Sequence, residues 1–132
     1  MKTMKITSML LLLGLFLTLS TNLYAQDPMT AAPNAYKKVL LENEKVRVME
    51  IEIAPGDVVP WHSHPDHVIY ALTSGKLEIT DKGKTATVAE IKAGEAIFMP
   101  AVTHTGKNIG ETPLKLIVTE LKTGKTNKID KM

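Results

Sequence analysis

The chain has no cysteine. No disulfide can support its fold, and no thiolate is available for catalysis or for holding a metal. It also lacks an excess of charge of one sign, with 16 basic side chains against 14 acidic ones. No basic stretch argues for a nucleic-acid partner. Long apolar runs are absent as well. The one apolar stretch that stands out, Met9–Leu19, is eleven residues, against roughly 20 needed to span a bilayer. Finally, no segment carries a long apolar stripe at helical spacing. Chemistry in this chain has to come from His, Asp, Glu or a bound ion.

What is there begins with a leader. Lys2 and Lys5 precede the apolar stretch, and a polar segment ending in Tyr24-Ala25-Gln26 follows it. That is the build of a secretory signal peptide, with cleavage expected after Ala25. The expectation is a periplasmic or secreted protein with no membrane segment in its mature form. With no cysteine after the apolar stretch, a lipoprotein anchor is excluded. The leader carries two of the 16 basic side chains, so residues 26–132 are close to neutral. They are enough for one compact domain.

Residues 26–36, QDPMTAAPNAY, are polar with two prolines and are expected to form a flexible lead-in. From 37 to 122 apolar residues alternate with a period near two, and breakers recur about every ten residues. The clearest strands are VRVMEIEI from Val46, VIYAL from Val68, KLEIT from Lys76, AIFMP from Ala96 and TPLKLIVTEL from Thr112. Asp81-Lys82-Gly83-Lys84 reads as a tight hairpin into TATVAEI. This spacing predicts an all-β sandwich or barrel in a single domain. Residues 123–132 are a polar C-terminal tail. Met49, Trp61, Phe98 and Met99 are expected to pack in the core.

Three of the four histidines fall in one stretch, PWHSHPDHVIYAL, as His62, His64 and His67. In an extended chain residues two apart share a face, so His62 and His64 can converge on one point. His104 lies far away in sequence but in a similar setting, after a glycine turn, a short apolar strand and a proline. A solvated histidine-rich loop accounts for His-Ser-His alone. It does not account for a fourth histidine in a matching segment.

These residues carry a family resemblance. Gly56 to Gly75 resembles the first cupin motif: glycine, five residues, His-x-His, three or four residues, glutamate, six residues, glycine. Gly94 to Asn108 resembles the second: glycine, five residues, proline, a short glycine-containing turn, histidine, three residues, asparagine. The likeness to small single-domain cupins extends over about residues 37 to 121. It implies a double-stranded β-helix, a small jelly roll, with a divalent metal inside the barrel. It also implies pairing into a homodimer through edge strands.

The chain departs from the family pattern in two places. Val102 stands where the second motif usually has glycine, and the turn before His104 is one residue shorter. In the first motif the glutamate is missing. A strict count puts its position on Val68, whereas alignment by the run VIYAL puts it on His67. The second alignment is favoured because it turns Ile69 and Ala71 inward and makes His67 a fourth ligand beside His62, His64 and His104. Under the strict count, Tyr70 and Leu72 would fill that space.

Four neutral imidazoles would leave a divalent ion near +2, unless Asp66 lies close enough to compensate. Such a centre favours a small anionic ligand, such as a carboxylate or an enolate. The donor set suits one divalent transition metal, zinc, iron, nickel or copper. The resemblance thus implies a metal-dependent dioxygenase or isomerase for a small oxygenated or carboxylated molecule. The alternative is a non-catalytic cupin that binds a small ligand or serves as a dimeric interaction module. Tyr70, Asp66 and Thr103 are the other acid/base groups near the histidines in sequence.

Overall fold

In strand β2 (Val46–Ile53), alternation buries Met49, Ile51 and Ile53, and in β9 (Leu114–Leu121) it buries Leu114, Leu116, Val118 and Glu120. The two strands pair antiparallel so that Met49 faces Val118, Ile51 faces Leu116 and Ile53 faces Leu114. Period-two alternation with one apolar face is what a sheet covered on one side demands. In this computed structural model, which describes residues 26–123, the pair forms the centre of one of two sheets.

The chain runs through a short helix α1 (Pro28–Ala31), then β1 (Tyr36–Glu42), β2, β3 (Val58–His64), β4 (His67–Ala71), β5 (Gly75–Asp81), β6 (Thr87–Ile91), β7 (Ala96–Met99), β8 (Val102–Asn108) and β9. One sheet has the order β1-β2-β9-β4-β7 and the other β3-β8-β5-β6, and every pairing is antiparallel. The inner faces enclose a core that includes Met49, Ile51, Ile53, Val59, Ile91, Leu114, Leu116 and Val118. This is the all-β jelly-roll architecture that the alternation and the motifs imply. The expected leader, residues 1–25, and positions 124–132 of the expected tail lie outside the described residues.

Two expectations are corrected. Residues 26–36 are not a loose lead-in: they form α1, capped by Asp27, and bury Pro28, Ala32, Ala35 and Tyr36. The polar composition hid three small or aromatic side chains that reach the core. Trp61 and Phe98 are not core residues either, with 45% and 58% of their surface exposed. For Trp61 the reason is a register shift in β3: Val59 pairs with Gly106, but His62 pairs with His104. One extra residue at Pro60-Trp61 reverses the alternation, so the inward set passes from Val59 to His62 and His64. Phe98 lies on β7, at the edge of its sheet, opposite Val68 and beside the inward Ile97 and Met99. Met49 is fully buried, as expected.

The glycines that open the two motif segments have a backbone reason. Gly56 and Gly94 have φ of +80° and +84°, and a Cβ on either would meet nothing within 4 Å. Left-handed backbone, not space, selects glycine there. Gly75 is the reverse case, since a Cβ there would lie 3.1 Å from Leu114 Cδ1. The motif asparagine is structural: Asn108 Nδ2 donates to the Ile53 and Thr112 carbonyls, and Oδ1 accepts from the Gly110 amide.

Candidate metal centre

The register of three strand pairs assembles the site. In one sheet β3 and β8 set His62 directly opposite His104, and β5 sets Asp81 opposite His104 on its other side. In the facing sheet β4 and β9 set His67 opposite Glu120. His62, His64 and His67 are 3%, 5% and 0% exposed. With Tyr36 they line a narrow cavity of about 50 Å³ whose remaining walls are largely aliphatic, Ile51, Ile69 and Leu116 among them. Ile69 and Ala71 face inward while Tyr70 and Leu72 are exposed, so β4 runs in the phase that points His67 into the barrel.

Three of the four rings are held from behind. His62 Nδ1–H donates to the Pro60 carbonyl at 2.7 Å, and His67 Nδ1–H donates to the Pro65 carbonyl at 2.8 Å. His64 Nδ1–H donates to Glu120 Oε1 at 2.6 Å. With the Nδ1 protons committed outward, the Nε2 atoms carry lone pairs directed inward, which is how metal-binding imidazoles are fixed in tautomer and orientation. His62, His64 and His104 converge, each offering a ligand atom within 4.8 Å of the other two. His67 lies outside that group, although its ring packs 4.5 Å from His64 and its buried Nε2 has no hydrogen-bond partner.

The fit to a metal rests on a conflict between lone pairs. His62 Nε2 and His104 Nε2 are 3.1 Å apart. A hydrogen on His104 Nε2 satisfies this contact but leaves the buried, unpartnered Nδ1 as a lone pair 3.9 Å from Asp81 Oδ1. A hydrogen on Nδ1 instead sets two Nε2 lone pairs against each other. A cation among the Nε2 atoms removes the conflict. Two nitrogens about 2.1 Å from one ion lie roughly 3.0 Å apart at a right angle and about 3.4 Å apart in a tetrahedron.

The electrostatics keep the donors neutral. Burial is the main cause that lowers all four histidine pKa values, taking His64 to about 2 and His104 to about 3, with the neighbouring histidines adding to it in these two. Glu120 is raised by burial, against the opposing pull of Arg47. Burial first, and the Glu120 charge second, push the Tyr36 phenol up.

Two residues of the site escaped the sequence reading. Glu120 was legible in the alternation of β9, where it falls on the inner face with Leu114, Leu116 and Val118. Tyr36 gave no such signal, because it ends the segment read as a lead-in. Asp66, the one carboxylate considered for charge compensation, has its Oδ1 accepting from the Ala101 amide at 2.8 Å in an exposed turn. Thr103 is bonded to Ser63, and Tyr70 is on the outer surface.

A two-sheet antiparallel barrel with inward histidines from both sheets is the double-stranded β-helix architecture of the cupins. The chain belongs to that family: the Cupin domain model matches residues 49–120. Comparison with curated proteins gives no match. Among solved structures, a cupin domain from Bordetella pertussis is 27% identical, covering 65% of this chain and 91% of its own, with a TM-score of 0.62. An RmlC-like cupin with a double-stranded β-helix from Methanocaldococcus jannaschii is 21% identical over 64% of this chain and 77% of its own, with a TM-score of 0.54. A predicted oxalate decarboxylase from Thermotoga maritima is 26% identical over the same shares, 64% and 77%, with a TM-score of 0.50.

Proposed function

We propose that this protein is an exported metal-dependent cupin that acts on a small oxygenated or carboxylated molecule by dioxygenase or isomerase chemistry. The observation that carries the reading is the convergence of His62, His64 and His104 on one point, with the first two rings fixed from behind by Pro60 and Glu120. His62, His64 and His104 would hold one divalent transition metal. When bound, the ion supplies Lewis acidity toward an oxygen of the ligand. His67 would offer its free Nε2 to that ligand from the facing sheet. The cavity of about 50 Å³ is far smaller than the roughly 300 Å³ of an ordinary small-molecule pocket, which favours a ligand of few atoms. The likeness to the Thermotoga protein supports a small carboxylate.

The small cavity favours a second reading, a cupin that binds metal and ligand without turnover. Metal analysis of protein supplied in turn with iron, nickel, copper and zinc tests the main reading. Wild type should take up one ion per chain, and His62→Ala should lose it. No uptake of any of the four, or full uptake by His62→Ala, sinks the metal centre. Bound metal without exchangeable water would favour the non-catalytic cupin.

A further inference from the structure

Tyr36 reaches the site from outside the two histidine segments. It opens β1 in the sheet facing His62, His64 and His104, and its backbone is fixed where the N–H bonds the Ala32 carbonyl at 3.0 Å. Its side chain passes into the barrel, leaving 5% of the residue exposed. The ring stands edge-on to His62, with centroids 5.3 Å apart, and tilted to His64 at 5.9 Å. The hydroxyl lies 3.1 Å from His62 Nε2 and 2.8 Å from His64 Nε2. It therefore sits on the lone-pair side of the histidines, where an ion would be.

We propose that Tyr36 Oη is an oxygen ligand of the metal centre and stands in for the glutamate that the first motif lacks. This rests on the reading of His62, His64 and His104 as metal ligands. The separations of 2.8 and 3.1 Å, together with 3.1 Å between His62 and His104 Nε2, match the roughly 3.0 Å expected between neighbouring donors about 2.1 Å from one ion.

The carboxylates near the histidines are committed elsewhere. Glu120 holds the outer nitrogen of His64, Asp81 faces the outer nitrogen of His104, and Asp66 caps a loop amide. Thr105 lines the cavity, but its hydroxyl donates to the Val59 carbonyl at 2.7 Å. Among the described residues these contacts leave Tyr36 as the oxygen that can bring negative charge to the Nε2 side. In the metal-free protein its O–H donates to His64 Nε2. On coordination the phenol proton leaves to solvent, and the phenolate lowers the charge of a divalent centre from +2 to +1. Three histidines and a carboxylate would give the same charge.

Phenolate bound to iron(III) or copper(II) produces a charge-transfer band in visible light, and this reports the ligand without any assay of turnover. Outside the expected leader the tyrosines are Tyr36 and Tyr70, and Tyr70 is 45% exposed on the outer face. Iron(III)- or copper(II)-loaded wild type is expected to show the band and, by resonance Raman excitation within it, phenolate modes. Tyr36→Phe should still bind metal, about tenfold or more weakly, and lose the band; Tyr70→Phe should keep it. Metal-loaded wild type without band or phenolate modes overturns the assignment even if Tyr36→Phe fails to fold, as does a band that persists in that variant. Wild type that takes up none of iron, nickel, copper and zinc overturns the metal centre itself, a result distinct from metal bound without the band.

Discussion

Glu120 Oε1 accepts a hydrogen bond of 2.6 Å from His64 Nδ1, joining the last strand of the fold to the first histidine motif between two buried side chains. The carboxylate fixes the tautomer that directs His64 Nε2 inward and raises its basicity. Glu120→Gln retains an acceptor but not the charge, so metal affinity is expected to fall by about 10- to 100-fold. Glu120→Ala leaves the buried Nδ1–H unpaired and should also cost about 1–3 kcal/mol of stability. Competition against a chromophoric chelator measures the first effect and urea unfolding the second. Equal affinity in wild type and Glu120→Gln would show that the pair does not support the centre.

The buried histidines predict acid sensitivity of the metal-free protein. In the unfolded chain they take up protons below about pH 6.5, whereas the folded values are lowered, to about 2 for His64 and about 3 for His104. Between these limits the unfolded state binds more protons, so folding stability falls as the pH falls. Each histidine that stays neutral contributes a loss of about 1.4 kcal/mol per pH unit. Glu120 acts in the opposite sense, because its folded pKa is raised and protonation relieves a burial cost. One group against four leaves a net loss. Urea midpoints measured in chelator from pH 7 to 4 should decline, and His67→Asn should flatten the slope. A flat profile in wild type would contradict the buried, neutral state of the cluster.

The sequence revealed the candidate donor histidines more readily than it revealed what orients them. The spacing picks out His62, His64, His67 and His104 together, and only the folded geometry separates His67 from the other three. Pro60 and Pro65, each two residues before a histidine whose Nδ1–H it accepts, repeat a Pro-x-His pattern that is visible but carries meaning only once the carbonyl is seen to face the ring. Trp61 was misassigned because a single inserted residue in β3 reverses the alternation, and no periodicity count detects a bulge. Tyr36 is placed by the burial of Ala32 and Ala35, a tertiary effect that small side chains do not announce.

Asn108 separates stability from metal binding. Its side chain makes three hydrogen bonds, is fully buried, and lies opposite Leu77 rather than at the histidine end of β8, where Asp81 faces His104. Asn108→Ala leaves the Ile53 carbonyl and its companions without partners and is expected to cost about 2–4 kcal/mol. Folded Asn108→Ala should bind metal as wild type does. A chelator titration showing weaker binding under conditions where the variant remains folded would place Asn108 within the machinery of the centre instead.

The segment before β1 is expected to behave as part of the folding unit, and Asp27 tests this. Its Oδ1 accepts from the Met29 amide at 2.8 Å, capping α1, while Oδ2 pairs with Arg47. The Asp27 side chain is 45% exposed, so the ion pair is screened and contributes little, whereas a lost N-cap costs about 1 kcal/mol. Asp27→Asn keeps the cap and should be nearly neutral. Asp27→Ala should lower the unfolding free energy by about 1 kcal/mol and speed amide exchange at Met29 and Thr30. If the two variants unfold alike, the ion pair rather than the cap holds the segment. If neither differs from wild type, neither contact holds α1 against the barrel, and Tyr36 is positioned by β1 alone.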